Sequence, residues 1–325
     1  MKPPQFLVLL LACALCASLQ PVFGGDLKLT ETDDSIRVTL RGKPVLEYVK
    51  TARPVPNGIE KHFSRSGYIH PIYTPTGQEL TGDYPEDHAH QHALYFAWVK
   101  SKFDGKNVDF WNQAKDLGKI EFREVQKLNR EKHNVSFSVK HAFMVKQGDK
   151  WIDAIHEVWT VTVHQTPEDH FLFDIVSVQN CVSEKPLSLS EYHYGGMAIR
   201  GNYQWLKEKE DHSIKPGDLQ FLTSDGHDRW KGNHTRPNWV ALSGKIDGQD
   251  ISATVFCSPM NFRAPQPVRL HPNKPYFCFS PMVEGPFEIS PGNEYVSRYR
   301  YLVTSKAIDV NVIEKYWDEY AKTEK

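Results

Sequence analysis

The sequence predicts a mainly antiparallel, all-β protein: a large two-sheet β-sandwich with one short C-terminal helix. Apolar and polar residues alternate in short runs, the pattern of strands that bury one face. Turn chemistry separates the runs, and helical periodicity is confined to the C-terminal end.

In chain order, M-K-P-P leads into the apolar stretch Phe6 to Leu19 and a small-residue region ending V-F-G-G. That is the pattern of a secretory signal peptide, assigned to residues 1–24, which leaves 25–325 as a single sandwich domain. The alternative form of export is a lipoprotein, with L-L-A-C placing the lipid on Cys13. No stretch reaches the roughly 18 to 20 apolar residues of a membrane-spanning helix. The strand runs are Ser35 to Leu40, Lys119 to Val125, Asn134 to Val139, Glu157 to Val163, Phe171 to Val178, Ile251 to Phe256 and Tyr295 to Val303. Between them stand R-G-K-P at Arg41 to Pro44, Q-G-D at Gln147 to Asp149 and D-G-Q at Asp247 to Gln249, the punctuation of antiparallel sheets. A polar T-P-E-D-H cluster ending at His170 reads as a hairpin turn rather than a domain boundary. Ile313, Tyr316, Trp317 and Tyr320 fall at i, i+3, i+4 and i+7, the stripe of an amphipathic helix packed on the body.

Composition narrows the function classes. Lys and Arg total 39 against 40 Asp and Glu, a formal charge of −1, so no broad basic field exists to bind nucleic acid. Beyond the leader only Cys181, Cys257 and Cys278 remain, enough for one disulfide at most, and zinc-finger spacing is absent. The chain has 8 Trp and 14 Tyr, side chains that serve cores and also stack on sugar rings. Sequons at Asn134 and Asn233 matter only in a eukaryotic host.

The main candidate site is D-H-A-H-Q-H-A-L-Y-F-A-W at Asp87 to Trp98. Read as a strand, it puts His88, His90 and His92 on one face with Leu94, Phe96 and Trp98, so the imidazoles continue the core face into a cavity. Neighbouring imidazoles could share a metal, whereas His88 and His92 would sit about 13 Å apart along a strand. A second polar-then-apolar run, S-E-Y-H-Y-G-G-M, carries Glu191 and His193 ahead of Met197 and Ile199. If the two runs meet at one rim, carboxylate and imidazole together supply an acid and a base. The plainer reading is a hydrogen-bonded histidine cluster, and a bulge at Gly195 and Gly196. Two loops present further polar groups: Arg65, Tyr68 and His70 in R-S-G-Y-I-H-P, and Asn261, Arg263 and Arg269 in the stretch from Ser258 to His271. These donate to hydroxyls or to a carboxylate. No G-x-S-x-G elbow, H-E-x-x-H, dinucleotide fingerprint or Walker loop is present. No nucleotide cofactor is therefore expected, and a divalent metal enters only through the histidines.

The segments Y-I-H-P-I-Y-T-P-T-G at Tyr68 to Gly77, Asp87 to Trp98, V-D-F-W at Val108 to Trp111, the G-G-M-A-I-R run ending at Arg200, N-W-V at Asn238 to Val240 and the S-P-M-N-F-R loop together resemble the PmoA-like family of exported bacterial proteins. That family's second motif usually reads D-H-P-H-H-R-G-L, so Asp87, His88, His90 and Leu94 match it, while Ala89, Gln91, His92 and Ala93 depart from it. His92 stands where the family usually has Arg. The family's methane-oxygenase label does not suit this chain, since a membrane oxygenase subunit needs several apolar spans. The resemblance implies a sandwich similar to the galactose mutarotase group, many of whose members handle sugars on a concave sheet face.

The expectation is thus an exported carbohydrate-active protein. Acid/base chemistry falls to His88, His90, Glu191 and His193, and substrate binding to Arg65, Tyr68, His70, His92, Asn261 and Arg263. The rivals are a cupin-like metal enzyme, built on His88 and His90 or on His90 and His92 with Glu191 or His193 completing the shell, and a non-catalytic glycan-binding protein of the cell envelope. The partner in the preferred reading is a small carbohydrate or glycoside, with no nucleic acid and no membrane span.

Overall fold

The structure is a computed structural model that describes residues 26–113, 115–208, 214–216 and 219–323. The expected leader and Cys13 lie outside the described residues.

Two eight-stranded antiparallel sheets dominate. The first runs in the order Leu27–Glu31, Ser35–Leu40, Lys43–Val49, Tyr68–Ile72, Leu94–Ala97, Gly196–Arg200, Tyr276–Phe279 and Val268–Leu270. The second runs Gln220–Thr223, Trp239–Ile246, Gln249–Cys257, Tyr295–Thr304, His170–Cys181, Lys150–His164, Asn134–Gln147 and Gly118–Arg130. A four-stranded sheet of Phe287–Ile289, Leu187–Leu189, Ser101–Phe103 and Lys106–Val108 flanks them, and Leu206–Glu208 pairs with Ile214–Pro216.

The turns read from sequence each close an antiparallel hairpin. Arg41 and Gly42, like Asp247 and Gly248, take positive φ at both central positions, as a two-residue hairpin turn with the twist of its strands requires. Residues 165–169 join the paired strands Lys150–His164 and His170–Cys181. All seven alternating runs lie inside strands of the structure.

Alternation also sets the faces of the first sheet. Phe96, Phe277 and Phe279 point at the second sheet, where Phe96 meets Tyr295 at 6.3 Å and Phe279 stacks on Tyr299 at 5.5 Å between ring centroids. Tyr95, Ala198, Cys278 and Arg269, aligned across four neighbouring strands, therefore take the opposite, outer face. Between the sheets lies one contiguous apolar core. A polar chain is sealed within it: the Glu157 carboxylate accepts from Ser177 (2.6 Å) and Gln179 (3.0 Å) and contacts His141 Nδ1 (3.0 Å), and His141 Nε2 meets the Tyr48 hydroxyl (2.6 Å). Each buried polar group thereby has a partner, which offsets the cost of removing it from water.

On the outer face of the second sheet, the helix Val310–Thr323 buries Ile313 and Tyr320 against Leu172, Trp239, Phe256 and Leu302. Tyr316 and Trp317 pack at the margin, so the predicted stripe is the buried one. Asp309 caps the helix, its carboxylate accepting from the amides of Asn311 (3.0 Å) and Val312 (3.3 Å). All three cysteines beyond the leader are free. Among the described residues no helix is long and apolar enough to cross a membrane.

Candidate functional site

The histidine row is not a strand. Only Leu94–Ala97 is extended, and residues 83–93 form a looped entry with turn bonds from the His88 amide to Pro85 O and from the Gln91 amide to His88 O. The alternation argument fails there because Tyr84 and Ala93 take positive φ and re-aim the chain at each end of the loop. The three imidazoles consequently separate into two environments. His92 is fully buried, its Nδ1 3.0 Å from Asp83 Oδ1, with the rings of Tyr68, Tyr84 and Tyr95 around it. His88 and His90 stay half-buried and meet edge to face at 5.6 Å, and His271 joins them 5.7 Å from His88.

Asp87 is the anchor of this cluster. Its carboxylate pairs with Lys274, lies 3.7 Å from Arg200 Nη2 and 3.3 Å from His88 Nδ1, and is held well below the usual carboxylate range by those partners in spite of its burial. Arg200 is fully buried and donates to Gln91 Oε1 at 2.7 Å, while its Nε has no hydrogen-bond partner among the described residues. Burial, then the positive charge of neighbouring groups, pushes both His90 and His271 down to about 3. Both are therefore neutral at pH 7 and able to donate and accept hydrogen bonds. Sequence reasoning missed His271, Lys274 and the contacts that Asp87 and Arg200 make in this cluster. Only the distant pairing of Gly196–Arg200 with Tyr276–Phe279 brings those groups to His88.

The two polar-then-apolar runs become neighbouring strands, but antiparallel ones: Gly196 faces Ala97 and Ile199 faces Leu94. Residues preceding Leu94 and residues preceding Gly196 thus emerge at opposite ends of the pair, about 10 Å apart for three residue steps. Glu191 and His193 sit on an exposed loop at the far end and do not join His88 and His90. There the Tyr192 ring packs against His193 (4.3 Å) and Tyr194 (4.8 Å), and Lys100 lies 5.0 Å over it. A cavity of about 420 Å3 opens beside Tyr192, lined also by Lys100, Asp109, Asn112 and Ser190. That volume is in the roughly 300–1,000 Å3 range of small-molecule sites. No bulge forms at the glycines. Gly195 and Gly196 both take positive φ, and a Cβ on Gly196 would stand 2.4 Å from Phe279 O.

Trp111 bridges the two ends over the outer face, 5.0 Å from Tyr95, 5.2 Å from Tyr194 and 5.9 Å from Tyr276. The buried Tyr95 hydroxyl and the Gln113 side-chain amide have no hydrogen-bond partner among the described residues.

The expected binding residues mostly serve the scaffold. Tyr68 donates to Asp83 Oδ2 at 2.7 Å, and His70 Nδ1 lies 3.0 Å from Thr81 Oγ1; burial pushes His70 down to about 4. Both tie the strand Tyr68–Ile72 to the start of the histidine loop. Arg65 is buried over Tyr95, donates to Phe96 O at 2.7 Å and borders a different cavity of about 400 Å3 with Lys61, Glu121 and Trp151. Asn261 is spent on Arg298, donating to its carbonyl (2.9 Å) and accepting from its amide (2.7 Å). Arg263 donates to the carbonyls of Pro281, Gly285 and Pro286, which fixes the 281–286 turn and leaves little for a ligand. For the metal alternative, no three His, Cys, Asp or Glu side chains are grouped as a metal-ligand set among the described residues.

Comparison with known proteins gives a family but no activity. No curated protein matches the sequence. Solved structures with a similar trace include a GalM/aldose epimerase homologue from C. elegans, 10% identical over 86% of this chain and 99% of that one, TM-score 0.38. Others are the heparan sulfate lyase HepC from Pedobacter heparinus (8%, 88% and 36%, TM-score 0.33) and an alpha-galactosidase from Lactobacillus brevis (9%, 86% and 40%, TM-score 0.28). At such scores these likenesses carry no argument about the reaction. Over residues 35–318 the sequence matches the model of a family of unknown function, DUF6807, and the chain belongs to that family.

Proposed function

We propose that the chain is an exported carbohydrate-active protein, related to the PmoA-like proteins, that performs acid/base chemistry on a sugar at the His88 end of the outer sheet face. The observation that carries this reading is the Asp87, His88, His90 and His271 cluster, in which one carboxylate and three imidazoles meet. Asp87, kept ionised by Lys274 and Arg200, lies 3.3 Å from Nδ1 of His88, and in this reading Nε2 is the nitrogen that exchanges a proton. Neutral His90 and His271 hydrogen-bond hydroxyls flanking the reacting one. Glu191, His193 and the cavity beside Tyr192 hold the remainder of a longer saccharide. Aromatic side chains at this end give sugar rings apolar faces to stack on.

The test is a panel of monosaccharides, disaccharides and aryl glycosides, scored for turnover and for binding. His88→Ala is expected to cut kcat/KM by about 10²–10⁴, the usual contribution of a positioned acid or base, with binding retained. Turnover unchanged in folded His88→Ala sinks the proposal. Binding without turnover in the native protein identifies a glycan-binding protein instead, and turnover that appears only with added divalent metal identifies the metal enzyme.

A further inference from the structure

We propose that Arg269 is an anion site and that the sugar taken on this face is acidic, with a carboxylate on the ring. This rests on the carbohydrate reading above and narrows it to a substrate class. Arg269 stands on the edge strand Val268–Leu270, level with Cys278, Ala198 and Tyr95 on the outer face, between the His88 end and the His193 end. It is half-buried. Its hydrogen bond is a long one, from Nη1 to Asn233 Oδ1 at 3.3 Å, and no carboxylate lies within ion-pair distance of it among the described residues. Other arginines in the molecule are engaged in one of two ways: Arg123, Arg300 and Arg236 pair with Asp153 (2.7 Å), Asp174 (2.7 Å) and Glu284 (2.9 Å), whereas Arg65, Arg229 and Arg263 spend their donors on backbone carbonyls at 2.7–3.1 Å. A partly desolvated guanidinium without a counterion is costly unless a ligand supplies the charge.

The carboxylates at the two ends of this face make no ion pair with Arg269 among the described residues: Glu191 stands on the exposed loop at the His193 end, and Asp87 and Asp109 have other partners. Asp87 is shared by Lys274, Arg200 and His88, and Asp109 accepts from the amides of Trp111 (2.9 Å) and Asn112 (2.8 Å) and from the Asn112 side chain (2.7 Å). The imidazoles that feel the charge of Arg269, His193, His234 and His271, are all pushed below their ordinary value by burial and by the guanidinium itself. They therefore add hydrogen-bonding capacity without competing for the anion. Arg269 is thus a half-buried cation on this face whose charge is left to a ligand, and the planar fork of guanidinium fits a carboxylate in two parallel bonds.

Calorimetric titration of the full chain with matched pairs, glucuronate against glucose and galacturonate against galactose, tests this. A sulfated neutral sugar forms a third arm. The native protein is expected to bind a uronate at least about tenfold tighter than its neutral parent, the scale of one charge-assisted contact. Arg269→Gln should abolish that preference, Arg269→Lys should keep only part of it, and Arg37→Gln, a remote surface charge change, should keep all of it. Equal binding of neutral and acidic sugars overturns the acidic assignment and leaves the carbohydrate reading standing. A uronate preference that survives in Arg269→Gln overturns the role of Arg269, and preference for the sulfated sugar overturns the carboxylate. Failure of every sugar to bind overturns both readings together. Arg269→Lys guards against a folding artefact, since it retains the stem and the charge.

Discussion

At the scale of single residues, His90, His271 and His70 are unusual bases because burial holds them neutral well into the acid range. His90 and His271 are pushed down to about 3 and His70 to about 4, against about 6.5 in an unfolded chain. Between those limits the unfolded state binds more protons than the folded one, so stability rises with pH across that window and is lost as pH falls through it. Asp83 and Asp87, both lowered by their partners, act in the same direction further into acid. The melting temperature is therefore expected to be flat near neutrality and to fall steadily from about pH 6.5 toward pH 3–4. His70→Gln, which keeps a hydrogen-bonding group beside Thr81, should flatten part of that slope. A melting temperature independent of pH between 7 and 4 would show that these imidazoles are not buried neutral.

At the scale of elements, the strand Gly196–Arg200 decides where every proposed group lies, and a glycine lets it sit there. Gly196 has φ +125°, and its missing side chain admits Phe279 O to the space a Cβ would fill. Gly196→Ala is expected to destabilise the protein by about 1–3 kcal/mol or more through strained backbone and forced separation from Tyr276–Phe279. Chemical denaturation checks this, and a change under about 0.5 kcal/mol, the usual surface effect, contradicts it. The same region shows what the sequence made legible. Alternating runs bounded by glycine turns located the seven strand runs and the helical stripe, because both signals are local. Leu94 to Ala97 was also legible as a strand, but the residues before it were not, since the positive φ at Tyr84 and Ala93 depends on how the loop is anchored to Asp83, Tyr68 and Arg200. His88 and His90 were legible as a pair. His271, Lys274 and Arg200 were not, because sheet order, which no local pattern encodes, brings them to Asp87.

At the scale of the whole molecule, antiparallel pairing turns one composite site into two ends of a face. The His88 loop precedes Leu94 and the Glu191 loop precedes Gly196, and the register separates them by the length of the strand pair, about 10 Å. Groups that far apart without a shared partner contribute independently, whereas an acid and a base acting on one atom do not. In a double-mutant cycle on kcat/KM with a disaccharide or longer substrate, the His88→Ala and Glu191→Ala effects should therefore add to within about 0.5 kcal/mol. Their characters should differ too, with His88→Ala lowering kcat and Glu191→Ala raising KM. The second effect should vanish for a monosaccharide, which occupies only the His88 end. A coupling energy above about 1 kcal/mol would mean that the two loops close on one substrate atom and that the separation imposed by the sheet is bridged by movement of the Glu191 loop. Additivity with a length-dependent KM would instead establish the face as an elongated binding surface with its chemistry at one end, Trp111 spanning the middle and the cavity beside Tyr192 at the other.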